Sequence, residues 1–461
     1  MTRRTPRSFL AAPLAGALVV GALSAATLPG PAAHAAPTCT DGAVVGTEPV
    51  SLGVGCLGNL DPAALGTGLA FGYDGDTPRD GLAGATAGGS GGPHEGWGVA
   101  DTAGGAEGHV AGGSSDNLTL VDFTVNPGGD GRDAAVSSTV AVGDTFEVTH
   151  DYRPSTQEGV YVVDVAIENV SDTFTEVLYR RVADLDVDPT GGDEVVTLQS
   201  GSAEDLVHLS DDGRASASPT AGESQVLTAA DAIDAGPGDL GVLADLDLGP
   251  LPVGATKRFS LLYGATFNEQ LALDALYALG AEAYALGQNS DPEGPEVGTP
   301  ATYFLGFTAI AGTDMAAPTA NDDSYTFSAG QTRTLAVSLN DLADPSVPDP
   351  RLEIVRVDPG FNGTVTCGTG ACDYTPDAGA TSDSFQYLLS DGHGGFDLGQ
   401  VSITVEPGDQ PAATNDARPT ITGSGVVGEV LIGDMGTWTS TGAADGSDLS
   451  YARRGLGDGT P

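Results

Sequence analysis

Hydrophobic and polar residues alternate with a period of two over much of the chain. In "GVYVVDVAIENV", residues 159–170, Tyr161, Val163, Val165 and Ile167 fall on one side of an extended backbone and Asp164 and Glu168 on the other. One apolar face and one wetted face mark an antiparallel sheet packed on a single side. Further β-type runs occupy 117–126, 134–142, 144–153, 175–187, 256–267 and 301–310. One interval breaks the rhythm: between 268 and 286, Leu271, Leu276, Leu279, Ala283 and Leu286 form an apolar stripe behind Asn268, a good N-cap residue. The pattern predicts a mainly β protein, with a large N-terminal antiparallel β-sandwich over 36–312 and one helix laid across one end.

Farther along, seven short runs (324–327, 332–337, 351–357, 363–367, 372–375, 384–390 and 398–405) crowd into a short length of chain, as in a second, smaller β-sandwich. Phe385, Tyr387 and Leu389 share one face, and Val401, Ile403 and Val405 another. Cys367 and Cys372 stand on either side of Gly-Thr-Gly-Ala with β-formers beyond them, at the neck of a hairpin. The stretch from "APTANDDSYTF" through "GTVTCGTGACDYTP" to "TSDSFQYLLSDGHGGFDLGQVSITV", about 317–406, resembles the cadherin-like, immunoglobulin-type tandem repeats of large bacterial surface proteins. That resemblance implies Ca²⁺ ligands at the linker and the inter-strand loops, where the matching residues are Asp322, Asp323, Asp341, Asp344 and Asp391. The loop that usually supplies two more acids reads "DPSVPDP" here. Turn capping by Asn and Asp is the other reading of the same residues.

After a Pro-rich linker, "PTITGSGVVGEVLIGDMGTWTS" resembles the opening strands of another bacterial Ig-like repeat, with Trp438 at the position of a core tryptophan. The later strands do not follow, so a truncated reading of a longer protein and a poorly ordered tail both fit. Half a sandwich would leave strand edges and an apolar face exposed. The N-terminal block, through "YRRVADLDVDPT" and the helix ending "AEAYALG", resembles a domain of secreted bacterial surface proteins, which implies a location and no reaction. The domain plan is a signal peptide at 1–35, the N-terminal sandwich at 36–312, a linker at 313–323, the cadherin-like Ig-type domain at 324–406, a linker at 407–418 and a partial Ig-like repeat at 419–461.

Charge narrows the partners. Asp and Glu number 63 against 17 Lys and Arg, the formal charge is -46, and Lys257 is the only lysine. Such a surface lacks the cations that neutralise phosphate, which excludes a nucleic-acid partner. Arg3, Arg4 and Arg7, the apolar stretch "FLAAPLAGALVVGALSAA" and Ala33-His34-Ala35 have the form of an export signal. No later stretch approaches the ~20 apolar residues of a membrane span, so no transmembrane segment is expected once the signal is removed. A secreted or cell-surface destination favours disulfides. Four cysteines allow three pairings, of which the local pairs Cys39–Cys56 and Cys367–Cys372 are the simplest. Zinc at Cys367 and Cys372 would need two more ligands, and the region offers only His393.

The strongest candidate chemistry lies in "YRRVADLDVDPTGGDE", residues 179–194, where Arg180, Asp184, Asp186 and Asp188 share one face of an extended strand. An internal ion-pair network with Arg180, a metal or polar-ligand site and a solvated edge are all compatible with it. An EF-hand is not, because Pro189 stands where the glycine is required and Val195 where the bidentate Glu belongs. His94, His109, His150 and His208 show no ligand spacing. His150 shares the apolar face of Phe146, Val148 and Tyr152 and reads as a core histidine, whereas "GATAGGSGGPHEGWG" reads as a long flexible loop around Trp97. No residue stands out as catalytic. Three functions fit: an exported modular protein that binds an extracellular protein or glycan, with Ig-type modules as spacers; a secreted glycan-active enzyme with its site in the N-terminal sandwich; and a structural surface component.

Overall fold

The computed structural model describes residues 38–46, 50–61, 69–71, 79–80, 95–126, 135–187, 192–223, 226, 231–290, 302–406, 414–424, 432–434 and 436–439. The expected signal peptide, Asp188 and His94 lie outside them. Among these residues the N-terminal block opens with a small four-stranded antiparallel sheet of Ala43–Val45, Val50–Val54, Leu69–Phe71 and Arg79–Asp80, and continues as a sandwich of two large antiparallel sheets. The larger runs, edge to edge, Ala232–Gly238, Glu194–Gln199, Ala283–Asn289, Thr302–Thr308, Thr256–Thr266, Val160–Asn169, Phe146–Pro154, Ala135–Val142 and Leu118–Asn126. The smaller runs Leu206–Ser210, Gly241–Leu251, Thr175–Asp184, Glu95–Asp101, Glu107–Ala111 and Ser114–Asp116. Tyr161, Val163, Val165 and Ile167 are buried in the shared core, as their alternation requires.

The helix is shorter than expected: Glu269–Ala278, not 268–286. Asn268 caps it as predicted, its side-chain oxygen accepting from the Leu271 N–H at 3.0 Å. Gly280, at φ +71°, ends it. The Gly280 N–H reaches the Tyr277 carbonyl and the Ala281 N–H the Leu276 carbonyl, which is the Schellman arrangement. Ala283–Asn289 then forms a strand buried along its whole length. Such a strand shows no alternation, so Ala283 and Leu286 imitated a continuing helical stripe. The face of the helix that packs is Ala272, Leu273, Ala275 and Leu276, with Leu271 exposed.

Trp97 does not sit in a flexible loop. It is fully buried in the strand Glu95–Asp101, its Nε1 donating to the Leu57 carbonyl at 2.9 Å. Gly96 and Gly98 disguise this strand. A Cβ on Gly98 would collide with the Ala217 carbonyl oxygen, and one on Gly96 with that of Val110. Close backbone approach, not flexibility, is what requires glycine there.

Beside Trp97, a charged pair on adjacent strands of the smaller sheet is bonded across the sandwich to tyrosines of the larger one. Arg181, on the smaller sheet, meets Glu95 at 2.5 Å, both fully buried. Arg181 also donates to the hydroxyls of Tyr263 at 2.8 Å, Tyr152 at 3.1 Å and Tyr179 at 3.3 Å. Glu95 accepts from the Tyr263 hydroxyl at 2.7 Å and from the Leu60 N–H at 2.6 Å. The Tyr152 hydroxyl donates to the Gly58 carbonyl at 2.9 Å, and His150 Nε2 meets the Tyr179 hydroxyl at 3.1 Å. Every charge therefore has a partner, as burial demands. The network ties Gly58 and Leu60, just past the Cys39–Cys56 disulfide, to both sheets. His150 is the core histidine its neighbours implied.

The second sandwich packs a four-stranded sheet, in the order Asp323–Ser328, Phe396–Glu406, Ser382–Ser390, Glu353–Asp358, on a three-stranded one, Arg333–Leu335, Cys372–Pro376, Gly363–Cys367. Tyr374, Phe385, Tyr387, Leu389, Val401, Ile403 and Val405 fill its core. The chain leading into it is anchored, at Met315 within the expected linker 313–323 and at residues just before it. Glu282 accepts from the N–H groups of Ala309 at 2.8 Å, Ile310 at 2.9 Å and Gly312 at 2.7 Å, and the Met315 N–H donates to the Ala281 carbonyl at 2.8 Å. Met315, Leu388 and Phe396 then join Leu273 and Leu276 of the helix in one apolar cluster. The Tyr284 hydroxyl donates to the Gly394 carbonyl at 2.9 Å, and the Tyr277 hydroxyl accepts from the Phe396 N–H at 2.9 Å. The two sandwiches thus share a packed interface built around the helix.

Beyond residue 406, Thr414–Ala417 pairs with Thr437–Thr439, and Thr420–Thr422 with Ile432–Asp434. Ile421 and Ile432 are exposed. The side chain of Trp438 lies outside the described residues. No helix among the described residues is long and apolar enough to cross a membrane.

Candidate metal centre

The chain crosses between the two sheets of the N-terminal sandwich twice at one end. The first crossing leaves the smaller sheet at Asp184 and enters the larger one at Glu194; the second returns from Gly238 to Gly241 through Asp239 and Leu240. Asp186 lies in the first crossing. These crossings bring carboxylate oxygens of Asp186, Glu194 and Asp239 within 4.8 Å of one another. The Leu185 N–H donates to the Leu240 carbonyl at 3.2 Å, so the crossings are tied to each other. Asp184 stands beside the trio, where Arg214 Nη1 joins its Oδ2, at 3.1 Å, to Asp239 Oδ2, at 3.3 Å. Gly213 and Gly241 make room for it: a Cβ on either would approach the Asp184 Cα to 2.9 Å.

Asp184 and Glu194 are both sealed from solvent. Oε1 of Glu194 accepts from the N–H groups of Val187 and Gly192. Its Oε2 and the Oδ1 of Asp184 are buried without a hydrogen-bond partner among the described residues. Burial, with Asp186, Asp239 and Glu194 adding repulsion, pushes the Asp184 carboxyl up to about 8 despite Arg214. Burial likewise raises Glu194 to about 7 against the pull of the Gly192 N–H. Carboxyls raised in this way want a proton or a cation beside them.

Of the residues named from sequence for this strand, Asp184 and Asp186 come together, and Asp188 lies outside the described residues. Arg180 does not join them. Its Nε and Nη2 grip Asp245 at 2.7 and 2.8 Å, while Nη1 donates to the carbonyls of Ser216, Ser218 and Ala221. Glu194, Asp239 and Arg214 were not foreseen. A signal for Glu194 was present, a charge opening the β-type run "EVVTLQ". Asp239 and Arg214 carry none, since they arrive through sheet crossings.

The acids of the second sandwich are dispersed. Asp322 accepts from the Gln400 N–H at 3.2 Å, and Asp341 from the Asn321 N–H at 2.8 Å and the Tyr387 hydroxyl at 3.0 Å. Asp323, near Asp341, is raised to about 6 chiefly by burial, and its Oδ2 has no hydrogen-bond partner among the described residues. Asp344 caps the Ser346 N–H at 2.7 Å, and Asp391 accepts from His393 at 2.8 Å and Gly395 at 3.0 Å, the turn-capping pattern. Among the described residues, no three of these five acids meet at ligand separation.

Both predicted disulfides are formed, and Cys367 and Cys372 face each other in the hairpin register. Two surface depressions hold about 170 and 220 Å³, below the ~300 Å³ at which small-molecule sites begin. Asp41 and Asp61 line the first, and Arg153 and Ser260 the second.

A family model described as a bacterial Ig domain matches residues 315–404. The match covers the second sandwich and begins at Met315, inside the anchored segment. No curated protein matches the chain.

Proposed function

We propose that the protein is an exported surface-type protein whose N-terminal sandwich binds an extracellular protein or glycan, with the Ig module holding it in a fixed orientation. The observation that carries this reading is the interface on the helix. Arg356 of the Ig module pairs with the buried Glu269, while Tyr277, Tyr284, Met315 and Phe396 close an apolar seam. A module seated this way acts as a mount, a stiffer element than the spacer expected from sequence. The two disulfides and the strongly acidic composition support an oxidising, extracytoplasmic setting. The test is to fractionate producing cells and to measure binding of the labelled chain to intact cells and to a glycan array. Saturable binding together with an extracellular or wall-associated pool is expected. Cytoplasmic retention with reduced thiols, or no saturable binding, overturns the proposal, and release of new reducing ends from the arrayed glycans would favour the enzymatic reading instead.

A further inference from the structure

The geometry points to a Ca²⁺ site formed by Asp186, Glu194 and Asp239, which clamps the two crossings between the sheets of the N-terminal sandwich. The donors are all carboxylate oxygens within 4.8 Å of one another, and no His or Cys is among them. Hard oxygen donors select Ca²⁺ over zinc, and flexible carboxylates suit its 2.3–2.6 Å bonds and variable coordination. The second, independent observation is the pair of orphaned oxygens. Glu194 is completely buried with Oε1 satisfied by two amides and Oε2 by none, and Asp184 is completely buried beside it with Oδ1 unsatisfied. A folded protein seldom leaves such atoms without a partner, and a cation supplies one for several oxygens at once.

The local charge balance agrees. Asp184, Asp186, Glu194 and Asp239 carry four potential negative charges at this end, and Arg214 supplies one positive charge, spent on Asp184 and Asp239. Because Asp186 and Glu194 belong to one crossing and Asp239 to the other, a bound ion would join the two crossings beside the Leu185–Leu240 hydrogen bond described above. The site stands independently of whatever the sandwich binds.

The test uses the full chain, stripped with EDTA and returned to millimolar CaCl2, followed by thermal melting and titration calorimetry. Wild type is expected to bind Ca²⁺ saturably and to melt several degrees higher with it. Asp239→Asn is the decisive variant, because that side chain is 46% exposed and its loss leaves the core intact. It is expected to fold, to lose at least about ten-fold in Ca²⁺ affinity and to lose most of the melting shift. Asp186→Asn should behave alike, and Asp344→Ala, in the Ig module, should respond as wild type does. A wild-type melt unmoved by Ca²⁺ overturns the proposal, as it would if protons rather than a cation neutralise the cluster. So does an Asp239→Asn variant that keeps the full response, or a response abolished by Asp341→Asn instead.

Discussion

Arg356, on a strand of the Ig module, donates to Glu269 in the first turn of the helix at 2.7 and 3.2 Å, across a seam that joins residues 87 positions apart. Glu269 is almost wholly buried, and burial raises its pKa even with Arg356 beside it. The pair is completed by Asp234, 3.1 Å from the same guanidinium. This contact joins the two sandwiches across their seam.

Replacing Arg356 by Ala is expected to loosen the seam. The change strands Glu269 in the seam, which costs on the order of 3 kcal/mol. Urea denaturation followed by fluorescence should turn from one transition into two, and small-angle scattering should show a larger radius of gyration. A variant with the wild-type scattering profile and a single transition would show that the apolar seam suffices alone.

Glu95→Ala is expected to destabilise the N-terminal sandwich by about 3–5 kcal/mol, because it leaves Arg181 buried and unpaired. The double change Glu95→Leu with Arg181→Met removes both charges and should recover much of that loss. Chemical denaturation of the three proteins measures the difference. A double variant no better than Glu95→Ala would mean that the tyrosine hydroxyls, not the ion pair, hold this core.

Acidification should probe His150. Burial first, and Arg181 second, hold its pKa well below 6.5. The folded ring therefore stays neutral while the unfolded chain takes up a proton as pH falls below 6.5. The stability contribution is present above that pH and is lost on acidification, by up to about 1.4 kcal/mol per pH unit until the folded pKa is reached. Other carboxyls titrate over the same range, so the informative quantity is the difference from His150→Phe, which should lack this component. Parallel stability curves for the two proteins between pH 7 and 5 would refute the assignment.

Removing the disulfides should have unequal effects. Loop-closure entropy assigns about 2 kcal/mol to Cys367–Cys372 and about 3 kcal/mol to Cys39–Cys56. Cys56 of the second also stands just before Gly58 and Leu60, which contact the buried network. Paired Cys→Ser variants are expected to lower the melting temperature of the N-terminal sandwich more than that of the Ig module, as resolved by calorimetry. Equal losses would argue that the network holds this segment without its staple.

The sequence by itself determined what depends on near neighbours. Period-two alternation located seven of the strands between 117 and 310 and all seven runs of the Ig module, with ends shifted by a few residues, but not Glu194–Gln199, Leu206–Ser210, Ala232–Gly238, Gly241–Leu251 or Ala283–Asn289. Asn268 marked the start of the helix, and cysteine spacing marked both disulfides. These signals are local, because strand faces, caps and short loops are decided by residues a few positions apart.

The tertiary structure decided the rest. Nothing near Trp97 announces that Gly96 and Gly98 admit other backbones against its strand, and a strand buried on both faces carries no period to distinguish it from a helix. Asp186 was legible as a candidate, but its companions Glu194 and Asp239 and the neighbouring Arg214 are joined to it only where the chain passes between sheets. Arg356 likewise finds Glu269 only because Gly280 stops the helix and turns the chain into a buried strand, whose Tyr284 then meets the Ig module. Long-range encounters of this kind are set by how sheets stack and where crossings fall, and the free energy that selects them is spread over the whole core.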